Sequence, residues 1–92
     1  GMPLYFEKID NKNKDIVSLL YGPVVLVSDD LAAFCEDPDH VEEWIERVPG
    51  ERLKFRTKPG AMEGIYDFET RDFVPYWSYP EGKWYFLYFW LH

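Results

Sequence analysis

Leu19-Leu20-Tyr21-Gly22-Pro23-Val24-Val25-Leu26-Val27 is apolar on both sides of a Gly-Pro pair and turns β-branched after the break. It is too short to span a membrane. Such a run reads as a strand buried on both faces and bent, or handed between sheets, at Gly22-Pro23. Proline has no N–H to give a ladder, so Pro23 belongs at the bend or at a strand start. The rest of the chain then reads as material packed against this run.

Upstream, Leu4 to Ile9 alternates weakly and suits a first strand, and the polar run Asp10 to Asp15 suits a turn. Downstream, Leu31 to Cys35 reads either as an irregular segment or as a helical turn. Asp37-Pro38 offers an N-cap acceptor followed by proline at the first helical position. Val41, Trp44, Ile45 and Val48 fall at i, i+3, i+4 and i+7, so the spacing predicts one amphipathic helix over 38–48, stopped by Pro49-Gly50. Arg52 to Thr57 alternates strictly, with Leu53 and Phe55 inward and the basic residues outward. Pro59-Gly60 and Pro80-Glu81-Gly82 are turn signals. A further strand is expected within Gly64 to Thr70, followed by Asp72 to Trp77. The last run, Trp84 to Leu91, has no polar alternation and is expected to be covered on both faces. The pattern predicts a mainly β fold: a small antiparallel β-sandwich, jelly-roll-like or partial, with one helix.

Ninety-two residues make one domain, 1–92, with Gly1 ahead of Met2 read as a tag remnant. A formal charge of −7 argues against nucleic acid and against an anionic membrane surface. No leader or lipidation motif stands in the sequence, but with Gly1 as a remnant this leaves the compartment open. A single cysteine, Cys35, cannot close an intrachain disulfide. Aromatic residues make up 20% of the chain, more than so small a core readily buries, so part of them is expected to face another body.

Met2 to Asp29, with its acidic and Asn pairs before the Tyr21-Gly22-Pro23 run, resembles the opening of a β-sandwich segment in one glycoside hydrolase family. These are the β-L-arabinofuranosidase-type enzymes (glycoside hydrolase family 127). Phe73-Val74-Pro75-Tyr76-Trp77 and Tyr85-Phe86-Leu87-Tyr88-Phe89 are similar to the closing strands of the same segment, in the same order. The middle of the chain, including the 38–48 stretch, does not match. Where that family often carries a His-His pair, this chain has Tyr79-Pro80-Glu81-Gly82. The family's catalytic glutamate, cysteine and zinc site lie on a helical barrel, and no residue here corresponds to them. The resemblance thus implies a non-catalytic accessory domain beside a catalytic one, periplasmic or extracellular if the parent is secreted.

From the residues alone, no catalytic set, cofactor or metal is expected. The acids Asp29, Asp30, Glu36, Asp37 and Asp39 lack calcium-loop spacing. Cys35 and His40 lack an orienting group and an oxyanion donor. His92 is terminal. Two opposed carboxyl groups, as a glycosidase needs, prove nothing in so acidic a chain. The candidate site residues are the rings Trp77, Tyr79, Trp84 and Trp90, as a surface for a neighbouring catalytic domain or a second copy, or as a platform for an oligosaccharide. Gly22, Pro23 and Trp44 are the expected structural positions. The function this favours is structural bracing of a catalytic domain. An autonomous carbohydrate-binding module and a small homodimer are the rivals.

Overall fold

A computed structural model of the chain describes residues 2–62 and 69–91. Among the described residues eight strands follow one another: β1 (Leu4–Lys8), β2 (Ile16–Tyr21), β3 (Val24–Val27), β4 (Ala33–Phe34), β5 (Ile45–Arg47), β6 (Phe55–Thr57), β7 (Asp72–Pro75) and β8 (Phe89–Leu91). The mainly β expectation holds. The strands join in one mixed sheet curled into a half-barrel, whose concave side encloses the core. The strand expected within Gly64 to Thr70 falls for 64–68 outside the described residues, as do Gly1 and His92.

The Gly-Pro pair makes a hairpin where a bent strand was expected. Tyr21 of β2 lies opposite Val24 of β3, with only Gly22 and Pro23 between them. Gly22 has φ +58°. Proline is confined to φ of about −65°, which excludes a turn with two positive φ values and leaves type II′, with glycine first. The Gly22 N–H donates to the Pro3 carbonyl at 2.8 Å, and the Tyr5 hydroxyl donates to the Gly22 carbonyl at 3.0 Å. The turn is thereby tied to the entry of β1.

β2 is the hub. β1 runs antiparallel along one whole edge, from Leu4 opposite Tyr21 to Lys8 opposite Val17. The other edge is divided: β3 takes Leu19 to Tyr21, and β8 takes Ile16 and Val17. β8 continues in parallel to β4, while β3 leads through β7 and β6 to β5. Alternation then sorts the side chains. Leu4 and Phe6, Val17, Leu19 and Tyr21, and Val24 and Leu26 share the core-facing side. Leu31 to Cys35 resolves as extended chain, and Phe34 from it is the ring around which the core is built. Its ring centroid lies 5.0 Å from Trp44, 5.5 Å from Phe6, and 6.0 Å from both Phe73 and Phe89.

The predicted helix over 38–48 does not form. Val41–Glu43 makes one 3₁₀ turn, and Ile45 already belongs to β5, paired with Thr57 of β6. The four apolar residues satisfy this backbone equally well. In a 3₁₀ turn, i and i+3 lie on one side, which brings Val41 and Trp44 inward, and the strand then points Ile45 the same way. Trp44 is 5% exposed, and its indole N–H donates to the Asp37 carbonyl at 2.8 Å. Three of the four residues are β-branched, and an eleven-residue helix draws its stability from packing, so the free edge of β6 wins the segment. Asp37 caps a turn and not a helix: its carboxylate accepts the Asp39 N–H at 2.9 Å.

Arg52 to Thr57 follows its alternation, with Leu53 packed on the core and Phe55 and Thr57 buried. Pro59-Gly60 is the expected turn, with Gly60 at φ +88°. The final run departs from expectation. Only Phe89–Leu91 is strand, and Trp84, Tyr85, Tyr88 and Trp90 are exposed. Its unbroken apolarity is not a sign of two-sided cover, because most of the run lies off the sheet.

The Gly22→Val variant tests the turn. A β-branched residue at this φ is strained by about 1–3 kcal/mol. The added side chain also meets Met2 Sδ, 2.5 Å from an ideal Cβ, but that is the flexible end of an exposed residue. A urea denaturation midpoint lowered by an equivalent amount is expected, and an unchanged midpoint contradicts the turn assignment.

Candidate functional site

β7 ends at Pro75, and a 3₁₀ turn, Tyr76–Ser78, throws the chain off the sheet. The Ser78 hydroxyl donates to the Pro75 carbonyl at 2.8 Å and the Tyr79 N–H to the Tyr76 carbonyl at 3.3 Å, which fixes the turn. Trp77 stands out from it, 60% exposed, with the Tyr76 ring edge-on at 5.5 Å. The chain reverses again at Pro80 to Lys83. Phe86 then docks on Ser28 through two backbone hydrogen bonds of 3.0 and 2.7 Å. Between these anchors Trp84 is 91% exposed, while Tyr79 is half-buried against Tyr85 at 5.4 Å. Trp90 sits within β8 and is 38% exposed.

The four candidate rings are therefore on the surface or half-buried, but they do not form one platform. Trp77 pairs with Tyr76 and Tyr79 with Tyr85, and among the described residues no ring contact joins any two of the four. Trp77 instead walls a cleft of about 600 Å³ with Glu51, Arg52, Lys54 and Val74. Tyr79 borders a smaller one of about 260 Å³ with Asp29 and Lys83. The two clefts meet at Lys54 and Val74, which line both.

A charged cluster lies at this junction that inspection of the sequence did not single out. Arg56 and Asp72 face each other across β6 and β7. Arg56 Nε donates to Asp72 Oδ1 at 2.6 Å and a terminal guanidinium nitrogen to Oδ2 at 3.1 Å, a two-pronged pair. Lys54 Nζ approaches the same carboxylate at 3.5 Å. The Arg56 hydrogen bond holds the Asp72 carboxyl below its ordinary value, against a smaller opposing effect of burial. The outward basic residues of the Arg52 to Thr57 stretch were the available signal. The partner acid depends on strand register, which local pattern does not carry.

The remaining polar residues make local structure. The His40 ring lies 2.6 Å from the Asp37 carboxylate, which raises the His40 pKa. Asp37 is held low by the Asp39 N–H first and by His40 second. The Cys35 thiol faces the carbonyls of Gly60, Ala61 and Met62, each at 3.6 Å. Among the described residues no three His, Cys, Asp or Glu side chains gather as a metal site, and no helix is long and apolar enough to cross a membrane. No protein-family model matches the chain, and no curated protein or solved structure does either.

Asp72 gives a pH prediction. A carboxyl group held low in the folded state contributes stability above its unfolded pKa, and loses it as pH falls through the folded value. Solvent screens this half-exposed pair, so Asp72→Asn is expected to cost about 1 kcal/mol or less at neutral pH. The gap between wild type and variant in urea midpoint should close once the medium is well below the ordinary carboxylate range. A gap independent of pH contradicts the charge-based role.

Proposed function

We propose that the chain is a non-catalytic accessory domain that docks on a larger body through its final aromatic run. The observation behind this reading is Trp84, 91% exposed and flanked by exposed Tyr85, Tyr88 and Trp90. A fully covered ring buries about 150–250 Å²; Trp84 has nearly all of its surface to offer a partner, and the other three less than half of theirs. Together they expose apolar surface on the order of a few hundred Å², the size of patch that on small domains often serves an interaction. The resemblance of the two chain ends to the accessory segment of β-L-arabinofuranosidase-type glycoside hydrolases supplies the kind of body: a carbohydrate-active catalytic domain, braced by this one. Chemistry would then belong to that partner, and this chain would carry no catalytic residue.

A second reading, a carbohydrate-binding domain, is favoured by one separate feature, the Trp77 wall of the larger cleft. A small homodimer that pairs through the same aromatic run is the remaining alternative.

Association of the isolated chain tests the docking reading. With the partner absent, copies are expected to meet through the run, so the sedimentation coefficient should rise with concentration. Trp84→Ser combined with Tyr88→Ser should abolish the rise without altering the fold. Neither side chain belongs to the buried core or packs against it, so the substitutions leave the core intact. A wild-type chain that stays monomeric at high concentration, or one that associates equally well after both substitutions, overturns the reading.

A further inference from the structure

From the cleft beside Trp77 we infer a second site, separate from the docking run, that takes an acidic sugar: a uronic-acid residue of an oligosaccharide. The cleft, at about 600 Å³, has the size of a small-molecule site. Trp77 lines it, and sugar rings present apolar C–H faces that stack on indole. Its rim is charged. Arg52 and Lys54 against Glu51 leave one positive charge in excess among the lining residues, in a chain of net charge −7.

The bend that leads into β6 and the strand itself put these cations there. Leu53 and Phe55 turn inward, so Arg52, Lys54 and Arg56 emerge together on the other side. Asp72 engages Arg56 and Lys54, leaving one carboxylate for two cations. Arg52 takes part in no ion pair among the described residues. Its guanidinium is suited to a ligand carboxylate, in the two-pronged geometry that arginine prefers.

The ligand class follows from the mixture. A purely apolar ligand would strand the charged rim without partners. A polyanion such as nucleic acid would meet the repulsion of an acidic protein and of Glu51 at the cleft itself. A polyhydroxylated ring with one carboxylate uses every element: the indole for its C–H face, Arg52 and Lys54 for its charge, and Glu51 as an acceptor for hydroxyl groups. Part of the site is built in advance: Ser78 locks the turn that bears Trp77 and Asp72 restrains Lys54, so the ordering on binding falls mainly on Arg52.

The test is an NMR titration of the chain, following the indole N–H signals, with a trimer of galacturonic acid and with the galactose trimer of the same linkage. The acidic trimer is expected to shift the Trp77 signal saturably and to bind at least about tenfold more tightly than the neutral one, a difference of about 1.4 kcal/mol. Arg52→Gln should reduce the acidic trimer to the neutral level. Trp77→Ala removes that indole signal, so its effect is read on the backbone amides of Glu51 to Lys54: both trimers should cease to shift them, while the signal of buried Trp44 keeps its position and reports an intact fold. Trp84→Ser combined with Tyr88→Ser, which disables the docking run, should leave the titration unchanged, so failure of one reading is distinguishable from failure of the other. The inference is overturned by a silent Trp77 signal, by equal binding of the two trimers, by indifference to Arg52→Gln, or by a response confined to Trp84.

Discussion

β2 has two edges and three partners, and the rest of the sheet depends on how they are shared. β1 occupies one edge entirely. On the other, β3 stops short enough for β8 to pair with Ile16 and Val17. The Gly22-Pro23 turn fixes the register, Leu26 opposite Leu19, and beyond that pair β3 leaves β2, with Ser28 bonding to Phe86. From β3 the sheet extends to β7, β6 and β5, and from β8 to β4. The inward residues of these strands meet at Phe34. Val17, Leu19, Leu26, Phe34, Phe73 and Phe89 are all fully buried there, and they come from five strands.

Local sequence carried much of this. Leu53 and Phe55 could face inward in only one way, because an alternating strand allows one apolar face. Gly22 was legible as a special backbone position, since a Gly-Pro pair between apolar runs constrains φ at both residues. The hairpin itself was hidden, because apolar residues on both sides of the turn mimic one continuous strand. Val41, Trp44, Ile45 and Val48 were misleading for a different reason. Their spacing fits a helix, but it also fits a 3₁₀ turn followed by a strand, and the choice between them depends on the edge of β6, distant in sequence. The Trp84 to Leu91 run was misread because apolarity reports burial only for residues that lie on the sheet.

The candidate site was legible in part. That some rings face outward followed from their number against the size of the core. Which rings do so, and beside what, required the turn at Tyr76 to Ser78 and the register of Arg56 with Asp72. The outcome separates two kinds of surface. The run from Trp84 to Trp90 is largely apolar, and suits a protein face. The cleft at Trp77 combines one ring with charges of both signs, and suits a polar ligand. A domain so arranged would brace a carbohydrate-active partner with one surface and meet an acidic sugar with the other, as proposed above.

The central claim is that the chain divides its apolar residues between a core locked by β2 and an aromatic run left outside it. Residue-resolved hydrogen exchange of the isolated chain, under conditions where it is monomeric, tests this most directly. The amides of β2, flanked on both edges, are predicted to exchange only on global unfolding, while those of Trp84 and Tyr85 exchange orders of magnitude faster. Amides of Trp84 and Tyr85 protected as strongly as those of β2, or β2 amides exchanging as fast as those of the edge strand β5, would contradict it.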